Sequence, residues 1–208
     1  MTKSDLNLIE KFIDTKNPKR ELNYAYLGED GIYATDTRIA IHFHASWLGL
    51  NMLLHKKLLK GFISALSSDS IVSIDGNGFM RANDGFKISC DTWDGEKFNF
   101  PDMKKMFNVE FKYKMTLEDI SDLHFELSQR NCFVDDARLY PVIEFGDCKY
   151  YEVFFNEQVI KDNHTNTGLV KIVGIFNDDE EVDKVKFTAL IMGREFQTKT
   201  QEQLLLDL

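Results

Sequence analysis

The chain has 208 residues, 43% of them hydrophobic, which is enough to bury one large core or two small ones. Its net charge of −9 arises wholly beyond residue 107, because the first 107 residues carry equal numbers of acidic and basic side chains. Bulk charge therefore argues against nucleic acid as a partner, and any such contact must come from basic side chains gathered on one face. Cys90, Cys132 and Cys148 are odd in number and lack CxxC spacing, so neither a disulfide framework nor a zinc ribbon is indicated. The apolar run from Trp47 to Leu54 is short and broken by Gly49 and Asn51, so no signal or membrane span is expected and a cytoplasmic location is the default.

In chain order, Leu6, Ile9 and Ile13, with Leu8 and Phe12, follow helical spacing behind a Ser4 cap and predict a helix over 5–15. Segments 22–28 and 31–43 predict a hairpin around Glu29-Asp30, since Asp30-Gly31 is a common turn signal. Within the second segment, Gly31 to Ile41 reads as a strand entering Ala34-Thr35-Asp36 and re-entering a strand at Arg38-Ile39-Ala40, with Asp36 satisfying local backbone donors. A helix over 55–66 carries Leu58, Leu59, Phe62, Ile63 and Leu66 on one face and Lys56, Lys57, Lys60 and Ser64 on the other. Short strands at 70–75, 78–82 and 86–92 are separated by Asp75-Gly76-Asn77-Gly78 and Asn83-Asp84-Gly85.

Phe98 to Phe107 is the expected connector, because Pro101 removes a ladder donor and the charge composition changes just beyond it. The second half is expected to repeat the plan. A helix over 117–128 is led by Thr116 and Asp119 as a capping box, and strands follow at 132–134, 139–145 and 148–155. A short helix is expected near 157–163, and strands at 169–176 and 184–192 flank the acidic loop 177–181. The pattern is that of an α+β protein in two units, 1–107 with the connector and 108–195, followed by a tail, 196–208.

No Gly-rich phosphate loop, serine elbow or Cys-His nucleophile pattern occurs, so no catalytic residue is assigned. His42 and His44 project from one side of a strand but lack a third ligand at matched spacing, so neither metal nor cofactor is expected.

Several segments, in order, resemble bacterial DNA polymerase sliding clamps. Ala34-Thr35-Asp36-Thr37-Arg38-Ile39-Ala40 is similar to the Ala-Thr-Asp-x-x-Arg-Leu-Ala signature, and Phe100-Pro101 resembles the Phe-Pro ending the first clamp domain. Asp136-Ala137-Arg138 is similar to an Asp-x-Arg string in the second domain. Phe155-Asn156 with Ile160-Lys161-Asp162 resembles the Asn-Pro-x-x-Leu-x-Asp region of the last domain, and Leu190-Ile191-Met192-Gly193-Arg194 its terminal Met-Pro-x-Arg strand. A bacterial clamp subunit has three domains and this chain has room for two; a second Ala-Thr-Asp copy is absent, and Gly193 replaces the proline.

The resemblance implies two clamp-like domains, each with amphipathic helices on antiparallel sheet, and a homotrimeric ring around duplex DNA that serves a polymerase and a clamp loader. Duplex would be held without base reading by diffuse positive charge, with Lys56, Lys57 and Lys60 as candidates, joined by Lys3, Lys11 and Arg20; the alternative is an ordinary solvated helix face. Glu118, Asp119, Asp122 and Glu126 on the 117–128 helix would instead repel phosphate. By the family's placement, Leu190, Ile191 and Met192 are candidates for a partner groove, the alternative being a buried strand. Gln203-Leu204-Leu205-Leu206-Asp207-Leu208 resembles the Gln-Leu-x-Leu-x-Leu peptide that docks into clamps, so Gln203, Leu204, Leu206 and Leu208 could engage a replicative clamp or pack on their own domain.

Overall fold

A computed structural model describes residues 1–14, 18–45, 51–92, 100–130, 132–134, 136–156, 160–161, 164–165, 168–177 and 183–193. The first helix, α1 (Lys3–Lys11), starts earlier than the Ser4 cap predicts. Thr2 is the N-cap, and its side chain accepts from the Asp5 N–H while the Asp5 carboxylate accepts from the Thr2 N–H, so two orphan donors are satisfied reciprocally. The strands β1 (Tyr24–Gly28), β2 (Gly31–Thr35) and β3 (Ile39–His44) form a meander. Gly31 sits at φ 147°, and a Cβ there would meet the Phe43 carbonyl oxygen at 2.1 Å, so the expected Asp-Gly turn needs its glycine.

A strand not read from the sequence, β4 (Met52–His55), pairs with β1 on the side away from β2 and runs directly into α2 (Lys56–Ala65). The expected meander divides into β5 (Val72–Ile74), β6 (Phe79–Ala82) and β7 (Lys87–Ser89), a small separate sheet, and β8 (Asp91–Thr92), which pairs with β4. The connector contains α3 (Met103–Phe107), capped by Asp102.

The second half departs most from expectation. Residues predicted to open a helix at 117 instead end a strand, β9 (Tyr113–Leu117), because Thr116 and Leu117 pair with Glu152 and Tyr151. The helical part begins later, as a 3-10 turn at Ile120–Asp122 capped by Asp119 rather than Thr116, and continues as α4 (Leu123–Ser128). The predicted strand 139–145 is a helix, α5 (Asp136–Phe145), despite Pro141 within it. Leu139, Val142 and Phe145 recur at helical spacing and are all buried, and that packing outweighs the cost of an interior proline. Of the predicted strand 132–134, one bridge remains, between Val134 and Gly193. Then come β10 (Tyr150–Phe155), the short pair β11 (Ile160–Lys161) and β12 (His164–Thr165), β13 (Leu169–Asn177) and β14 (Asp183–Met192). Strand β11 occupies part of the segment predicted as a helix near 157–163; most of the acidic loop and the whole tail lie outside the described residues.

The result is a mixed α+β architecture with two sheet-and-helix regions, consistent with a two-domain clamp-like fold. Among the described residues its main sheet has nine strands in the order β8-β4-β1-β2-β3-β14-β13-β10-β9, antiparallel at every pairing. The last strand of the chain's second half thus joins the third strand of its first half, with Leu190 opposite Ala40 and Ile191 opposite Ile39. All four longer helices pack on one face of this sheet, side by side in the order α2, α1, α5, α4. Their apolar sides and the facing strand residues, among them Leu6, Phe12, Leu59, Phe62, Leu123, Leu139, Ile41 and Ile172, form one core.

A buried ionic contact ties the halves together on the helix side. Between Gly174 and Ile175 the β13–β14 register slips by one residue, and the extra residue, Lys186, points toward α1. Its Nζ lies 3.2 Å from Asp5 and 2.6 Å from Asp147, and over the Phe145 ring. Burial pushes the Lys186 amine down, but the two carboxylates outweigh this and hold its pKa above the usual value.

Candidate functional site

Two surfaces bring together the residues singled out in the sequence. The first is the outward side of the helical layer. On α2, Lys57 and Lys60 are exposed, as is Lys11 on α1, and among the described residues none of the three has a carboxylate at ion-pair distance. Lys3 and Lys56 belong to the same helices but are partly spent on holding them in place. Lys3 Nζ donates to the Leu66 carbonyl at 2.6 Å, and Lys56 Nζ donates to the Ile13 carbonyl at 2.5 Å while pairing with Glu10 at 3.4 Å. Arg20 is exposed at the start of a 3-10 turn, Arg20–Asn23, between α1 and β1.

The same layer changes sign on crossing into the second half. Glu118, Asp119, Asp122, Asp136 and Glu144 are exposed on or beside α4 and α5. The basic groups there are already engaged or half-buried: Arg130 pairs with Glu126, Arg138 is half-buried, and His124 Nε2 lies 2.9 Å from Asp136. Where the basic and acidic parts adjoin, α1 and α5 form a groove of about 190 Å³ lined by Ser4, Asn7 and Lys11 on one side and Pro141 and Glu144 on the other.

The second surface is the opposite face of the sheet, which the connector crosses like a strap. Phe100 packs on Tyr26, Phe107 lies against Tyr33 and His42, and Phe111 meets Phe154 with Lys171 over both rings. Tyr33, Ala40, Met103 and Leu190 are the buried centre of this smaller cluster. Lys104 of the strap pairs with Asp30 at 3.2 Å, and a shallow cleft of about 260 Å³ opens between the strap and Tyr26 and Tyr33. For Asp30 burial acts upward, but hydrogen bonds from Tyr33 and Lys104 outweigh it and hold the carboxyl below its usual range.

Beneath the strap, Tyr33, His42 and His44 stack in sequence, with ring centroids 4.1 Å and 3.9 Å apart. His42 Nε2 donates to the Asp30 carbonyl at 3.0 Å, and His44 Nε2 lies 3.0 Å from Thr188 Oγ1. Burial lowers both pKa values, to about 4 for His44, whose neighbour His42 adds to the effect. The pair is thus a neutral, hydrogen-bonded layer of packing, and among the described residues no three His, Cys, Asp or Glu side chains converge as a metal site requires. All three thiols are pushed up to about 11 by burial, which makes them poor nucleophiles.

The candidate groove residues fall at the junction of the halves on β14. Leu190 and Ile191 are 3% and 0% exposed, so they are sheet core, on the strap side and the helix side respectively. Met192 is 38% exposed, and its N–H donates to the Arg38 carbonyl at 2.9 Å. This contact brings the end of the last described strand onto the Ala-Thr-Asp turn. In that turn Asp36 Oδ1 accepts from the N–H groups of Arg38 and Ile39, both at 2.8 Å, Thr35 Oγ1 accepts from the Thr37 N–H, and Thr37 takes φ 80°. A β-branched residue at positive φ is strained, and the Thr35 and Asp36 side chains are what hold it. The motif therefore carries a structural task, as its local hydrogen-bonding potential implied. Gln203, Leu204, Leu206 and Leu208 lie outside the described residues.

No protein-family model and no curated protein matches the chain. Among solved structures, a DNA polymerase sliding clamp from Pseudomonas aeruginosa superposes with a TM-score of 0.55 at 14% identity, over 94% of this chain and 66% of the clamp. A protein described as a DNA polymerase III beta subunit from Eubacterium rectale superposes at 0.53 and 13% identity, over 98% of this chain and 67% of that one. The fold is clamp-like. Nearly all of this chain takes part in the match, and it spans about two thirds of the length of those two proteins. No helix among the described residues is long and apolar enough to cross a membrane.

Proposed function

We propose that the chain is a sliding-clamp-like processivity factor that encircles duplex DNA as an oligomeric ring and tethers replication proteins, without catalysis of its own. The observation that carries this reading is the single layer of four helices on one face of a sheet continuous across both halves, with Lys11, Lys57 and Lys60 exposed on it. Such a layer offers diffuse charge to phosphates without side chains committed to base edges. Two domains, with boundaries at 1–107 and 108–195, reach a six-domain ring as a homotrimer, and a polymerase and a clamp loader are the partners that such a ring needs. On the strap side, exposed Met192 beside the Arg38 turn is the part of the proposed partner groove open to a ligand, with Leu190 beneath it, while Ile191 faces the helix-side core.

The acidic second half of the helical layer supports a second reading, a clamp-fold module that does not thread DNA and docks on a replicative clamp through Gln203, Leu204, Leu206 and Leu208. Retention on nicked circular DNA separates the two. A ring stays bound at low salt and is released by linearisation, and Lys57→Glu/Lys60→Glu lowers its retention at least tenfold. A docking module gives no topological retention, and its capture of a replicative clamp is lost when residues 203–208 are deleted.

A further inference from the structure

The outward side of the helical layer is bipolar, and its polarity is aligned with the order of the helices. Reading across α2, α1, α5 and α4, exposed Lys57, Lys60 and Lys11 give way to exposed Glu144, Asp136, Asp122 and Glu118. Large apolar side chains stand among these charges: Leu58 on α2 is 46% exposed, Tyr140 on α5 55% and Phe125 on α4 62%. Each is apolar surface that an interface on this face would remove from water.

We infer that this face pairs with the same face of a second copy of the chain through a two-fold axis near the α1–α5 groove. A two-fold interface brings each patch against its mate twice. The axis at the centre of the layer therefore sets α2 of one copy over α4 of the other, and α1 over α5. Lys57 and Lys60 then oppose Glu118 and Asp122, Lys11 opposes the Asp136 and Glu144 region, and Leu58 approaches Phe125. No other orientation of two identical bipolar faces matches both ends, since a parallel overlay puts lysine on lysine and carboxylate on carboxylate.

The area is adequate for a reversible complex. Three helices of nine or ten residues are about 15 Å long and α4, with six, about 9 Å, and at spacings of about 10 Å they make a face of roughly 500 Å² per copy. The total lies near the lower limit for specific pairs, so the complex depends on its charges and weakens as salt screens them. The paired form hides the lysines that duplex DNA would need. It is a closed state of the free protein and differs from a ring, in which these helices face an open channel.

Charge-swap mixing tests the inference on the full chain. Sedimentation velocity is expected to show a dimer at 50 mM salt that dissociates at least tenfold more readily at 500 mM. Lys57→Glu/Lys60→Glu and Glu118→Lys/Asp122→Lys, all at exposed positions, are each expected to be folded monomers by circular dichroism and sedimentation at 50 mM salt. Mixed in equal amounts they restore the dimer, because both ends of the mixed pair are then complementary. A salt-resistant trimer unaffected by either variant, a monomer at every salt concentration, or variants that fail to reassociate on mixing would each overturn it.

Discussion

The two faces of the main sheet are covered in different ways. On one side, four helices contribute aliphatic stripes to a core whose members, such as Leu6, Phe12, Leu59 and Leu139, are almost wholly removed from water. On the other, a single strap of a dozen residues rests on a row of rings, Tyr26, Tyr33, His42 and Phe154, and most of its own contacts, Phe100, Phe107 and Phe111, are only half-buried. Near-complete burial makes the helix side the expected source of stability, and the half-buried strap the part expected to open locally.

The comparison can be broken first at Phe12, fully buried at the end of α1. Phe12→Ala is expected to lower stability by about 3 to 5 kcal/mol, as for other buried phenylalanines, measured by urea unfolding. A loss under about 1 kcal/mol would mean that the helix side is not the stabilising face. Phe107→Ala should cost less, about 1 to 2 kcal/mol, since the ring is half-buried. Hydrogen exchange should show faster exchange at strap amides while those of α1 keep their protection; equal acceleration in both would show that the two faces unfold as one unit.

A pH-dependent effect concerns the histidines beneath the strap. His44 is held neutral by burial, with its pKa lowered to about 4, whereas in the unfolded chain it protonates near its ordinary value. The unfolded state therefore binds the extra proton first as pH falls. Stability is full above about pH 6.5 and is lost progressively down to about pH 4, below which His44 adds no further slope. His44→Gln should flatten this decline in urea midpoint between pH 6.5 and 4. An unchanged slope would assign the acid sensitivity to other groups.

The elements legible in the sequence were those whose period or turn left no competitor. Helix α2 has one apolar stripe and one basic side, and β13 and β14 flank an acidic turn sequence, so both were expected within a residue or two. The misreadings came where a local signal met a distant partner. Thr116 and Leu117 look like a helix start until β10 claims them as an edge strand. Residues 139–145 were expected as a strand, yet burial of Leu139, Val142 and Phe145 at helical spacing makes them a helix that tolerates Pro141.

The site divides in the same way. Exposure of Lys57 and Lys60 could be read from the amphipathic pattern of α2, but not the use of Lys3 and Lys56 as ties to Leu66 and Ile13, because those carbonyls are 63 and 43 residues away in the chain. The role of Tyr33, His42 and the strap phenylalanines as a second packed surface was missed; the clustering of aromatic residues in the connector, Phe98, Phe100, Phe107 and Phe111, was the available signal.

By itself, then, the sequence determined the amphipathic character of α1 and α2, the tight turns at Asp30-Gly31 and Thr35–Arg38, and the excess of acid beyond residue 107, since these depend on neighbours a few bonds away. Only the tertiary structure decided that β3 and β14 join the halves into one sheet, that Lys186 reaches Asp5, and that basic and acidic helices share one layer in a fixed order. Strand pairing and burial are chosen among partners more than a hundred residues apart, by how much apolar surface the whole arrangement removes from water, and no local period records that choice.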